Sequence, residues 1–198
     1  LHAIDGLSRL YRTTMTRDRL EGFLALGLFA ATIPLANWMI GNLGTVCVPN
    51  GPCLIPVAPS LSAPSGVLMI GLALVLRDLV QRRLGRGWSL AAILAGALLS
   101  AIVAPAALVT ASVAAFLLSE FADFAVYTPL QERRLVLAVV ASSLVGLTID
   151  SLVFLYLAFG SLDFLAGQIV GKAWMVLLSV PVVRWIRDRD LRYGISPA

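Results

Sequence analysis

Six long apolar runs divide this chain, at about 22–40, 63–80, 89–104, 107–127, 135–159 and 164–185. A helix rises about 1.5 Å per residue, so runs of this length span roughly the 30 Å of a bilayer's hydrocarbon core. The pattern predicts six membrane-spanning helices. The third run is short, at about 24 Å. Pro34 is expected to kink the first helix, Pro105 to turn the chain into the fourth, Pro129 to close the fourth, and Pro181 to bend the sixth. A basic start before one apolar run also fits a cleaved leader. Five further runs and no cleavage site favour a retained first span.

Between the first two runs the pattern breaks. No charged residue occurs from Gly41 to Leu61, and Pro49, Pro52, Pro56 and Pro59 forbid a regular helix there. This stretch reads as an external loop packed over the bundle. It holds Cys47 and Cys53 in C-x5-C spacing, and an oxidising outer compartment makes a loop-stapling disulfide the expected outcome. Small residues recur at Ala92, Gly96, Ser100 and Ala104, and Gly167 and Gly171 form a GxxxG. Such ridges pack helices closely, and their number leads us to expect a homodimer.

Composition sharpens the class. The chain is 59% hydrophobic and 13% charged, with a mean hydropathy of +0.91. Soluble proteins average about 25% charged. The net charge of +4 does not point to nucleic acid, because the arginines sit in short clusters between apolar runs. Segments 1–21, 82–86, 133–134 and 184–192 hold arginines, whereas 41–61, 105–106 and 160–163 hold none. That asymmetry predicts an all-α integral membrane protein, a six-helix bundle with both termini cytoplasmic. It divides into a basic segment 1–21, a transmembrane domain 22–186 and a tail 187–198. No HExxH, P-loop or GxSxG signature occurs, so an enzyme is not expected. His2 is the only histidine, so no metal site is expected, and no cofactor is expected either.

The candidate chemistry lies in the polar residues within the runs. Glu120 and Asp123 fall in the last turns of the fourth run, three residues apart and on one helix face. An acid near mid-membrane costs roughly 2.5–3.5 kcal/mol, which these residues avoid only by facing other helices or a wet cavity. By depth the groups form two layers. Asn37, Asp150, Gln168 and Lys172 lie toward the outside, and Arg77, Asp78, Glu120 and Asp123 toward the inside. Four acids face two bases. A purely structural arrangement would pair Asp150 with Lys172 and Arg77 with Asp123. The functional alternative is that a substrate or an ion completes the pairing, with Arg77 and Asp78 as an inner gate or coupling pair.

The runs ANWMIGNLG, LVLRDLVQRRLG, ASVAAFLLSEFADFAVY, LVGLTIDSLVFLYLAF and GKAWMVLLSVPV occur in order over roughly 29–186. Together they resemble the queuosine precursor transporters, or vitamin uptake transporter family. The matching positions are Asn37, Asp78, Glu120, Asp123, Asp150 and Lys172. The resemblance implies import of 7-deazaguanines, such as the 7-cyano and 7-aminomethyl forms, across a bacterial inner membrane, with proton or ion coupling an open possibility. The alternative is a membrane-embedded capture subunit of an energy-coupling-factor importer, which needs an ATPase partner. A deazaguanine offers adjacent N–H donors beside a carbonyl, which suits carboxylates, amides and aromatic faces. The expected site lies between the fourth, fifth and sixth spans. Glu120, Asp123 and Asp150 accept from the substrate there, Lys172 or Gln168 serves its carbonyl, and Asn37 contributes. Trp38, Phe121, Phe154 and Trp174 are the stacking candidates.

Overall fold

A computed structural model describes residues 2–49 and 51–198, with side chains placed from Asp18 onward except at 50 and 107. Arg9, Arg12 and Arg17 of the basic amino-terminal segment lie outside the described side chains. Six helices follow one another: α1 (His2–Asn42), α2 (Val67–Leu84), α3 (Arg86–Val103), α4 (Val109–Leu130), α5 (Leu135–Phe159) and α6 (Leu165–Tyr193). The first is continuous across the boundary expected at residue 21, and Pro34 lies within it.

Five of these helices are long and apolar enough to cross a membrane: Asp18–Asn42, then α3, α4, α5 and α6. The exception is α2, the expected second span. It is 18 residues long, about 27 Å, but Arg77, Asp78, Arg82 and Arg83 crowd its second half. Those charges sit where lipid does not reach. Leu74 to Asp78 and Val80 to Arg83 are all buried, and α2 packs against each of the other five helices. A helix buried on every side is a core helix. Here the charges are buried in the core and the outer surface is apolar. Leu98, Ile102, Leu178 and Tyr156 are exposed on the helices around α2, as in a bundle solvated by hydrocarbon.

Two apolar clusters meet on α2. Leu74 and Val75 join Tyr127, Leu147 and Val176 on one side, while Ala73 and Leu76 join Phe29, Ile33 and Ala92 on the other. α2 and α6 approach closely at Gly71. A β-carbon there would collide with the backbone carbonyl of Lys172, so only glycine lets these two helices touch.

The stretch between α1 and α2 is not an irregular loop. It forms a three-stranded antiparallel sheet in the order β1 (Val46–Cys47), β2 (Cys53–Ala58), β3 (Leu61–Pro64), a small addition to a protein that is otherwise helical, as expected. The prolines excluded a helix but not a sheet. Pro49, Pro52 and Pro59 occupy the connections, and Pro56 stands where the β2–β3 register shifts, so none interrupts a central ladder. Cys47 and Cys53 are cross-strand partners, and a disulfide joins them. The sheet is seated on the helices. Trp174 Nε1 donates to Val57 O at 2.8 Å, Ser65 Oγ donates to Met39 O at 2.7 Å, and a side chain at Gly167 would strike Ser62.

The small-residue ridges are therefore used inside one chain. Ala92, Gly96 and Ser100 are buried, with Gly96 against Phe116 and Ile33, while Gly167 and Gly171 receive the sheet and Val67. The motive for a homodimer disappears with that. The opposite end of the bundle is basic. Arg82 and Arg83 both bind Asp190, and Arg83 and Arg189 bind Glu21, which gathers the ends of α2 and α6 around α1 near Glu21.

Candidate functional site

Beneath the sheet lies a cavity of about 90 Å³, room for several waters. The fourth, fifth and sixth helices, between which the site was expected, contribute to its wall, and so do the other three, with Thr32, Asn37 and Ile40 from α1 and Met69 and Ile70 from α2. Pro64 and Gly66 close it from the sheet side. Its chemistry comes from Glu120 on α4, Asp150 on α5 and Gln168 on α6, with Phe116 and Phe154 as its aromatic walls. Glu120, Asp150 and Gln168 are each no more than 5% exposed, so their polar atoms meet the cavity or protein and little else.

Two ionic clusters support this wall from behind. In the first, Arg77 on α2 faces three acids. Its Nε donates to Glu120 Oε2 at 3.0 Å, its Nη2 donates to Asp123 Oδ1, and its Nη1 lies 3.0 Å from Asp78 Oδ1. Nη1 also reaches Gln81 Oε1 at 3.3 Å, and Ser142 Oγ donates to Asp78 Oδ2 at 3.2 Å. The rings of Phe124 and Tyr127 flank the guanidinium at 6.0 and 5.8 Å. Asp78 Oδ1 is close enough for ion pairing but not aligned for a hydrogen bond. Asp123 Oδ2 and the Tyr127 hydroxyl likewise lack a hydrogen-bond partner among the described residues. In the second cluster, Lys172 Nζ donates to Asp150 Oδ2 at 2.6 Å, Ser151 Oγ at 2.7 Å and Gln168 Oε1 at 2.8 Å.

The expected groups thus divide. Glu120, Asp150, Gln168, Asn37 and Phe154 line the cavity, whereas Asp123, Lys172, Arg77 and Asp78 stand behind it. Trp38, Phe121 and Trp174 lie on the outside of the bundle, 55%, 42% and 48% exposed, where they cannot stack on a ligand in the cavity. Phe116 is the aromatic that sequence reasoning missed. Its signal was present, because 112, 116, 119 and 120 recur at helical spacing and so share one face of α4. Ser151 was also missed, as was Gln81, which passes the Arg77 network on to Thr128 Oγ1 at 2.9 Å.

Apolar helices that wrap a central polar helix define a multi-pass membrane protein, and its interior cavity is lined by acids and amides. Residues 103–186 match the model of the family described as "Putative vitamin uptake transporter", so this part of the chain is similar to that family. The match includes Glu120, Asp123, Asp150, Gln168 and Lys172; Asn37, Arg77 and Asp78 lie outside it. No curated protein and no solved structure matches the chain.

Proposed function

We propose that this protein imports a small planar nitrogen heterocycle of the 7-deazaguanine class across a bacterial inner membrane and holds it in the cavity beneath the sheet. α2 serves as the second of six spans, and the arginine-rich end faces the cytoplasm. One observation carries the reading. Glu120 and Asp150 each commit one carboxylate oxygen to a buried cation, and their other oxygens accept no hydrogen bond among the described residues. A ligand with several N–H donors satisfies these acceptors, and Phe116 and Phe154 offer faces for its ring.

The test is uptake of labelled 7-cyano- and 7-aminomethyl-7-deazaguanine by the purified protein alone in liposomes. Saturable uptake competed by unlabelled deazaguanine supports the proposal. Binding without uptake until an ATPase partner is added makes the chain a capture subunit instead. Absence of both binding and uptake removes the ligand class.

A further inference from the structure

An ammonium carries three N–H donors and no acceptor. Lys172 spends all three within the protein, on Asp150 Oδ2, Ser151 Oγ and Gln168 Oε1, and its side chain is fully buried. It lies outside the cavity lining, but two of its three partners are in that lining. The consequence falls on Gln168. A reversed amide would set its NH₂ against the ammonium, donor to donor, so its oxygen stays with Lys172 and its Nε2 is left to serve the cavity. Asp150 is held by the same ammonium through Oδ2, which leaves Oδ1 as an acceptor. One cation therefore presents an acceptor and a donor side by side on one wall.

We propose that Lys172 is a positioning residue that sets the hydrogen-bond polarity of this wall, so that the site selects a ligand edge in which N–H stands beside C=O. This rests on the function proposed above. A lactam edge has that order, with its N–H toward Asp150 Oδ1 and its carbonyl toward Gln168 Nε2. In the 6-amino analogue the ring nitrogen becomes an acceptor and the carbonyl becomes an amine. Both contacts are then mispaired, and a site built to hydrogen-bond one pattern penalises its inverse strongly.

The experiment measures binding of two probes to the detergent-purified full chain: 7-cyano-7-deazaguanine and its 6-amino counterpart. Wild type is expected to favour the 6-oxo form by about tenfold or more, the loss that follows from one or two mispaired bonds. In Lys172→Met the Gln168 amide is free to turn, so the preference should collapse toward one. Gln168→Glu keeps a partner for Lys172 but replaces the cavity donor with an acceptor. It should also lose the preference, and it keeps the proposal testable if Lys172→Met does not fold. A wild-type ratio retained in Gln168→Glu overturns the proposal, as does an equal weakening of both probes in either variant. If wild type binds both probes equally, the ligand class stands and the positioning role falls. If it binds neither, the ligand class falls and the lactam edge falls with it.

Discussion

The two buried cations solve the same problem in opposite ways. Lys172 meets one carboxylate and two neutral acceptors, and its donors are saturated within one turn of α6 and one of α5. Arg77 meets three carboxylates from α2 and α4, and oxygens of Asp78 and Asp123 remain without aligned donors. The first cluster is balanced in charge and closed. The second carries surplus acid and sits one residue behind the cavity wall, through Glu120. A balanced buried pair loses most when either partner is removed, because the other is left uncompensated. An acid-rich cluster depends chiefly on its single cation and has acid to spare.

That contrast can be broken most directly at the cation. Arg77→Met leaves three buried acids with no counter-charge and should lower stability by about 3–5 kcal/mol. It should show as loss of folded protein in size-exclusion chromatography from mild detergent. Folded material at wild-type yield would mean that the three acids do not depend on Arg77. Asp150→Asn comes next. It strips the one anion from Lys172 and also alters the cavity wall, so both melting temperature and deazaguanine affinity should fall, with about 3 kcal/mol lost in stability. Affinity at the wild-type level in this variant would move the ligand away from Asp150.

Smaller effects sharpen the comparison. Glu120→Gln keeps the shape and one acceptor atom, so stability should hold while affinity drops by about tenfold, the cost of one charge-assisted bond at the lower end of its range. Titration of folded Glu120→Gln with 7-cyano-7-deazaguanine measures this. Asp78→Asn should change least, with a melting shift worth about 1 kcal/mol or less, because it removes surplus acid from a cluster that retains Glu120 and Asp123. A loss as large as that of Asp150→Asn would show that the Arg77 cluster is as tightly balanced as the other, and the distinction between the two would fail.

Much of the site was legible beforehand for a plain reason. A strongly polar or ionisable residue in an apolar run must point inward, so Glu120, Asp123, Asp150, Gln168 and Lys172 could be picked out by position alone. Aromatic residues carry no such signal. Trp38 and Trp174 are as well suited to an outer helix face as to a cavity, and outward is where they lie. The sheet was hidden because prolines argue against helix without specifying what replaces it. Its ladder depends on pairing Cys47 with Cys53 and Leu54 with Pro64 across turns whose geometry composition does not encode.

The sequence by itself determined the apolar runs, their lengths, the basic and uncharged ends and the set of buried charges, because each follows from the cost of exposing a polar group to lipid. Tertiary structure alone decided which charges meet. Arg77 reaches Glu120 and Asp123 across 43 and 46 positions of sequence, and Lys172 reaches Asp150 across 22. Helical periodicity fixes only which residues share a face; where that face points depends on how α2 is enclosed by its neighbours. Gly71 admits the backbone of Lys172, a close approach that helical periodicity does not reveal.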